Sequence, residues 1–564
     1  MSVFIGYPSF MAYQMMKGKK GNNDGFPSIP GMIARYSALG LTNEQMAANP
    51  VLVDKTGNGY DLQLKNFSWK GMSGVGGYEM NFNLWKNNVS SIPDISMSTT
   101  TTSVSVSVGN STYNNNLIYI HISNWDINKN HWLKVTSTYE DGDLAFTFYN
   151  DSNTKKIGLP ANGYVNILAY PEFKGSYMYI STISNKQGSF TIEQLPLYPG
   201  FILGDGVDDF AVTEKELNFE DTYTVYMAFI PFQSNPTRNM ILCGADSKKT
   251  FSMQYSSLVY VSFIAGNNYY INADFVNGLN LFACKRNGNN ICIKNLLTNK
   301  VVTGTCGDWV ENAGLYYLWK NATYASFAKA AIAGQTICNG YFSTDEDDEK
   351  VLDWYKKQYP WLFPDQAWTT VGKTNEDEGR ATIANITGNG NDLILSNFGF
   401  IEGSGYNEEG EYAGYLVTDG VDDEVRSAAF TLNEDWTIVG NWEFITNKNK
   451  NAGLTKVYSL YLYNRDYGIF VYKYINAGQG FSVEGVKSLK AICSDGRIYL
   501  NDWQEIRNNI EQEATISKGV MAIGYFNRDF TKMAFKNLGI YNNQLLSKDD
   551  CIKAYNYLQT LKAK

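Results

Sequence analysis

The residues in this chain best suited to chemistry form one motif written twice. Asp205, Asp208 and Asp209 stand in DGVDD at 205–209, and Asp419, Asp422 and Asp423 stand in DGVDD at 419–423. Carboxylates this close together are hard oxygen ligands of the kind calcium takes. The same letters also write a tight turn, because Gly reaches left-handed backbone and short acidic side chains accept hydrogen bonds from nearby amides. No further spaced carboxylates complete a ligand set, so the turn is the favoured reading. Calcium is the one ion left open, and no other cofactor is expected.

Other chemistry finds less to work with. TGNG at 56–59 and 387–390 lacks the Lys-Ser/Thr and the strand-to-helix setting of a phosphate loop, so it too reads as a turn. Glycoside hydrolysis needs two carboxylates across a cleft, and no strand carries alternating acids. The acidic run Asp345–Glu349 reads as a helix start. Only two histidines, His121 and His131, are available to any triad, and neither is near a nucleophile motif. The seven cysteines are widely spaced without CxxC, which suits reduced, mostly buried thiols better than a disulfide framework or a zinc site. No catalytic residue is expected. Tyr412, Trp503 and Trp125 have loop-like surroundings that would suit sugar stacking, but most aromatics here must be core, so no glycan-binding residue is singled out.

The elements that position these residues are revealed by self-comparison. TGNGYDLQLKNF at 56–67 recurs as TGNGNDLILSNF at 387–398, nine of twelve positions matching at an offset of 331. Thr42-Asn43-Glu44 recurs as Thr374-Asn375-Glu376, and Ser73-Gly74 as Ser404-Gly405. YPGFILGDGVDD at 198–209 recurs as YAGYLVTDGVDD at 412–423, but at an offset of 214. The fall from 331 to 214 means that 117 residues interrupt the first copy and not the second.

Both copies continue in parallel. Aromatic, β-branched runs follow each DGVDD (Tyr223–Tyr226 and Trp436–Val439), and turn signals follow at Asn287-Gly288 and Asp495-Gly496. Late in each copy stands F-x-K-x-A, at Phe327, Lys329 and Ala331 and again at Phe530, Lys532 and Ala534. Each copy ends in one helix, predicted to start at a Ser N-cap, Ser343 or Ser547, with acids in the first turn. Within the interruption, Val104, Val106 and Val108 alternate with Ser, the pattern of a strand with one buried face.

The expected layout is an N-terminal arm or anchor at 1–29; a first sandwich from 30–75 and 196–362; an inserted small β-sandwich at 76–195; and a second sandwich at 363–564. The 15% aromatic content agrees with an all-β class. A net charge of −9 without a basic face speaks against nucleic acid, and no apolar run is long enough to span a membrane as a helix. The start, MSVFIGYPSF, shows no secretion signal.

At DGVDD the chain resembles the laminin G-like, concanavalin A-like lectin/glucanase superfamily. The resemblance covers both copies and not the insert. It implies two concanavalin A-like jelly-roll sandwiches, each ending in a short acidic helix. The longer string, from the TNE turn through TGNG to DGVDD, is similar to virion proteins of tailed gut phages, crAss-like phages among them. That similarity implies a structural, non-enzymatic virion protein: a head or tail fibre, or a capsid-surface decoration, made in the bacterial cytoplasm. Its implied partners are other virion proteins, further copies of itself, and host or mucosal glycans. A tail-spike polysaccharide depolymerase and a bacterial surface adhesin are the alternatives; the missing acid pair counts against the first and the missing secretion signal against the second.

Overall fold

In the computed structural model the chain is built almost wholly from antiparallel β-sheet. The structure describes residues 24–563 apart from short segments, the longest being 88–94, 122–130, 168–176, 233–239 and 508–516. The described residues divide into two compact units, one within residues 24–354 and one within 355–563 together with Val276–Gly278.

In the first unit two eight-stranded sheets face each other. Thr222–Pro231 and Lys329–Asn339 lie side by side at the centre of one sheet, with Asn280–Asn287 on one flank and Ile202–Asp205 on the other. Both central strands are buried along nearly their whole length. Their sequences, TYTVYMAFIP and KAAIAGQTICN, are correspondingly continuous in apolar and small residues rather than alternating. The facing sheet runs from Val51–Leu52 through Leu62–Lys65, Phe210–Thr213 and Tyr316–Leu318 to Asn267–Ala273. Tyr223, Val225, Met227 and Phe229 pack between the sheets with Leu62, Leu64, Leu242 and Trp319.

Strands between Lys86 and Gln194 pair only with one another, in two five-stranded sheets around a core of their own. Val104, Val106 and Val108 are buried there at 0–3% exposure, while the intervening serines are not, so the period-two pattern is a one-sided strand. The chain leaves and re-enters the first sandwich at one place: Leu197 and Tyr198 donate their amides to the carbonyls of Gly77 and Gly76.

The second unit repeats the first sandwich strand for strand. Trp436–Phe444 and Met533–Asn542 are central, flanked by Ala491–Cys493 and Tyr415–Val417. Even the irregularity is shared. The register between the central strands slips between Ala228 and Phe229 in one copy and between Asn441 and Trp442 in the other. The fold is thus all-β, with helices at Asn43–Ala48, Asp345–Gln358 and Lys548–Thr560 among the described residues.

The helix starts differ in one respect from the reading of the sequence. Ser547 is the N-cap of Lys548–Thr560, accepting from the Asp550 amide. In the first copy the cap is Thr344, whose hydroxyl takes the Asp347 amide at 3.2 Å while its own amide donates to Asp347 Oδ2 at 3.0 Å. Ser343 is displaced from that role because its hydroxyl is drawn to buried Asp348, 3.1 Å away. The TNE turn at 42–44 proves to be a helix start, with a reciprocal capping box between Thr42 and Gln45.

Residues 1–23 of the expected arm lie outside the described residues. Residues 24–29 pack on the first sandwich. The Arg35 guanidinium grips both oxygens of Asp24 at 2.7 and 2.8 Å, and Phe26 meets Trp354 edge-on. No helix among the described residues is long and apolar enough to cross a membrane.

Candidate functional site: the paired DGVDD loops

Each DGVDD follows an edge-side strand of one sheet and leads into the facing sheet, so it forms the turn between layers. Gly206 and Gly420 have φ of 80° and 77°, the left-handed backbone that only Gly adopts without strain. The first Asp closes the turn: Asp205 Oδ1 accepts from the Val207 amide at 2.8 Å, and Asp419 Oδ1 from the Val421 amide at 2.7 Å. The last Asp closes it from the other side. Asp209 Oδ2 accepts from the Asp205 amide at 3.0 Å, and Asp423 Oδ2 from the Asp419 amide at 2.7 Å.

A neighbouring loop braces each turn. Asn66 and Asn397, both with φ of 67°, donate from Nδ2 to the carbonyls of Asp208 and Asp422 at 3.0 Å. Ser404 donates to Asp423 Oδ1 at 3.0 Å. Its counterpart Ser73 lies beside Asp209, whose Oδ1 is buried without a well-formed hydrogen bond. The serines are themselves held by the amides of Ser68 and Gly399 at 2.9 Å. Asp208 and Asp422 face solvent, and Val207 and Val421 are 70% exposed at the loop tips. Asn66, Asn397, Ser73 and Ser404 were not singled out from sequence as loop-bracing residues, although each falls in a duplicated string.

The three carboxylates of each loop bring one oxygen apiece within 4.8 Å of one another. Calcium takes about six to eight oxygens. In both loops one oxygen of the first Asp and one of the last are already committed to backbone amides, which is the turn role. Asp205, Asp208 and Asp209 are therefore brought together, as are Asp419, Asp422 and Asp423, and the bonds observed are those of a braced turn.

Burial pushes the Asp209 carboxyl up to about 7, opposed by Ser73 and the Asp205 amide and reinforced by the charges of Asp205 and Asp208. Asp423 is pushed up to about 6, again chiefly by burial. A carboxyl whose folded pKa is raised binds its proton more tightly when folded. Its contribution to stability is full below about pH 4 and is lost as the pH climbs through about 7. Asp209→Asn should therefore gain on the wild type as the pH rises from about 5 to about 8, read as the difference in melting temperature at each pH. A difference that stays flat or reverses would show that Asp209 is ionised and satisfied in the folded state.

The other sequence candidates divide. Trp503 is fully buried, its ring near Tyr499 and Tyr555, so it is a core residue and not a sugar platform. Tyr412 is half-buried against Tyr415. Trp125 lies outside the described residues, and so do the side chains of His121, which ends the strand Asn116–His121, and His131, which begins the strand His131–Ser137. The TGNG turns are held from within. Asp54 accepts from the amides of Arg35, Thr56 and Tyr60, and Asn385 takes its place in the second copy, accepting from Ala367 and Thr387.

No family model matches the chain, and no curated protein matches it. Among solved structures it is similar to botulinum neurotoxin binding domains. One is a type C structure, from work on cell entry that depends on interaction with two ganglioside molecules; it is 13% identical, with a TM-score of 0.27, covering 58% of this chain and 89% of that one. Another is the serotype DC binding domain in complex with rat synaptotagmin II, 10% identical, with a TM-score of 0.27, covering 61% and 90%. A third is the serotype C1 binding domain, 11% identical, with a TM-score of 0.26, covering 61% and 94%. Likenesses at this level assign neither an activity nor a binding residue to this chain.

Proposed function

We propose that this chain is a non-enzymatic surface protein of a tailed-phage virion, a fibre or capsid decoration whose two sandwiches present their loops to host or mucosal glycans. The observation that carries the reading is the same polar loop built twice, closed and braced by three matching bonds, on two separate cores. Asp205, Asp209 and Asn66 in one copy match Asp419, Asp423 and Asn397 in the other. Rigid sandwiches suit display of such loops, and two copies in one chain raise avidity for a repeating ligand without new contacts. The sequence resemblance to gut-phage virion proteins supports the location, and the use of the loop carboxylates as turn closers supports a binding role over hydrolysis.

Virions incubated with gold-labelled antibody to this chain test the location. Labelling of heads or tails is the expected result, and label confined to host-cell debris would overturn it. The purified chain, incubated with host capsular polysaccharide, should release no reducing ends above buffer. Release that is lost on substituting one carboxylate would establish the depolymerase reading instead.

A further inference from the structure

The second sandwich buries a lysine whose hydrogen-bond partners are neutral. Lys490 is 8% exposed, and its Nζ donates to Asn441 Oδ1 at 3.5 Å and to the Tyr555 hydroxyl at 3.3 Å, with the Tyr555 ring centroid 4.9 Å away. Asn441 is 6% exposed and stands on the central strand Trp436–Phe444. Its Nδ2 donates to the Tyr415 hydroxyl at 2.9 Å. The backbone fixes the pair side by side, because the Gly440 amide donates to the Lys490 carbonyl at 3.0 Å. An amine held at a carboxamide oxygen is one bond from the carbon it can attack, and a fixed pair of this kind reacts as if at very high concentration. From this juxtaposition we infer that Lys490 and Asn441 condense into an intramolecular amide, a self-modification that bolts the central strand of the second sandwich to its neighbour.

The surroundings supply the protonation states that the step needs. Burial pulls the Lys490 ammonium down to about 8, partly opposed by the charge of Glu443, two residues beyond Asn441 on the same strand. The free amine, which is the nucleophile, is therefore within reach near neutral pH. Burial also pushes the Tyr415 hydroxyl up to about 12, so it keeps its proton. The Nζ lone pair adds to Cγ of Asn441, and the carbonyl electrons move onto Oδ1. The proton that leaves Nζ joins Nδ2, with the Tyr415 hydroxyl in contact with that nitrogen to hand a proton over. The Cγ–Nδ2 bond then breaks, ammonia departs and the carbonyl re-forms. One amide replaces another, and nothing is oxidised or reduced. The link closes a covalent loop over residues 441–490 and restricts the unfolded chain as a disulfide does, but no reductant opens it.

The first sandwich is an internal control. Ala228 stands at the place of Asn441, on the same side of the shared register slip, and has no side-chain amide to attack.

The full chain is purified, denatured, digested with trypsin and mapped by mass spectrometry. The expected result is a branched peptide pair joining Asn441 to Lys490, lighter by one ammonia than the two peptides together, with no cleavage after Lys490. Lys490→Met and Asn441→Ala should each abolish the pair, and Tyr415→Phe should lower the linked fraction. Should those variants fail to fold, the peptide map of the wild type decides by itself. Cleavage after Lys490 in all chains, with both peptides at their sequence masses, or a link from Lys490 to any other residue, would overturn the inference.

Discussion

Replacing Asp348 with Ala is expected to cost the first sandwich about 3–5 kcal/mol, the range for breaking one partner out of a buried ion pair. Asp348 is 2% exposed and is the hub of the only such network among the described ion pairs. Lys285 and Lys294 reach Oδ2 at 2.7 and 3.1 Å, and Tyr226 and Ser343 donate to Oδ1 at 3.0 and 3.1 Å. Removing the carboxylate strands the Lys285 ammonium, itself 3% exposed, and two hydroxyls. The double replacement Lys285→Met with Asp348→Leu should cost far less than Asp348→Ala, because no unpaired charge is left inside. Denaturant unfolding of the wild type and the two variants, followed through the transition of the first sandwich, measures this. A loss below about 1 kcal/mol for Asp348→Ala would mean that water reaches the cluster.

The second large effect is expected at Asp54. It is 3% exposed and accepts from the Arg35, Thr56 and Tyr60 amides at 3.1, 3.0 and 3.3 Å and from the Thr56 hydroxyl at 2.8 Å. Ala at this position leaves buried donors unmet and should cost roughly 3 kcal/mol, since each unsatisfied buried group costs about 1–3 kcal/mol. Asn should be far milder. The second copy has Asn385 at the matching position, making the same kind of bonds to Ala367, Thr387 and the Thr387 hydroxyl. Equal losses for Asp54→Ala and Asp54→Asn would show that the charge, and not the acceptor oxygen, holds the TGNG turn.

What could be read in the sequence follows from how local each signal is. The all-β class and the terminal helices rest on short patterns: valines alternating with serines at 103–108, and acids after Ser547 at the start of a helix. The DGVDD turns were legible for the same reason, since their closing bonds run between residues two to four apart. The residues that brace those turns lie up to 142 positions away, as Asn66 does from Asp208, and nothing in a linear string joins them. The Lys285–Asp348 pair spans 63 residues and is equally invisible. Its consequence reached back into a local reading: once Asp348 claims the Ser343 hydroxyl, the cap moves to Thr344. Trp503 misled because Asn501-Asp502 and Gln504 give it polar neighbours, whereas its ring turns inward against Tyr499 and Tyr555.

The central claim, that the paired loops serve binding and not cleavage, is tested most directly by one measurement. The intact chain is applied to an array of mucin O-glycans and bacterial capsular polysaccharides, beside variants in which the loop carboxylates of one copy or of both are replaced by Asn. Retention on a subset of glycans is expected, with avidity falling when one loop set is altered and falling further when both are. Retention on no glycan, or retention indifferent to both loop sets, would contradict it.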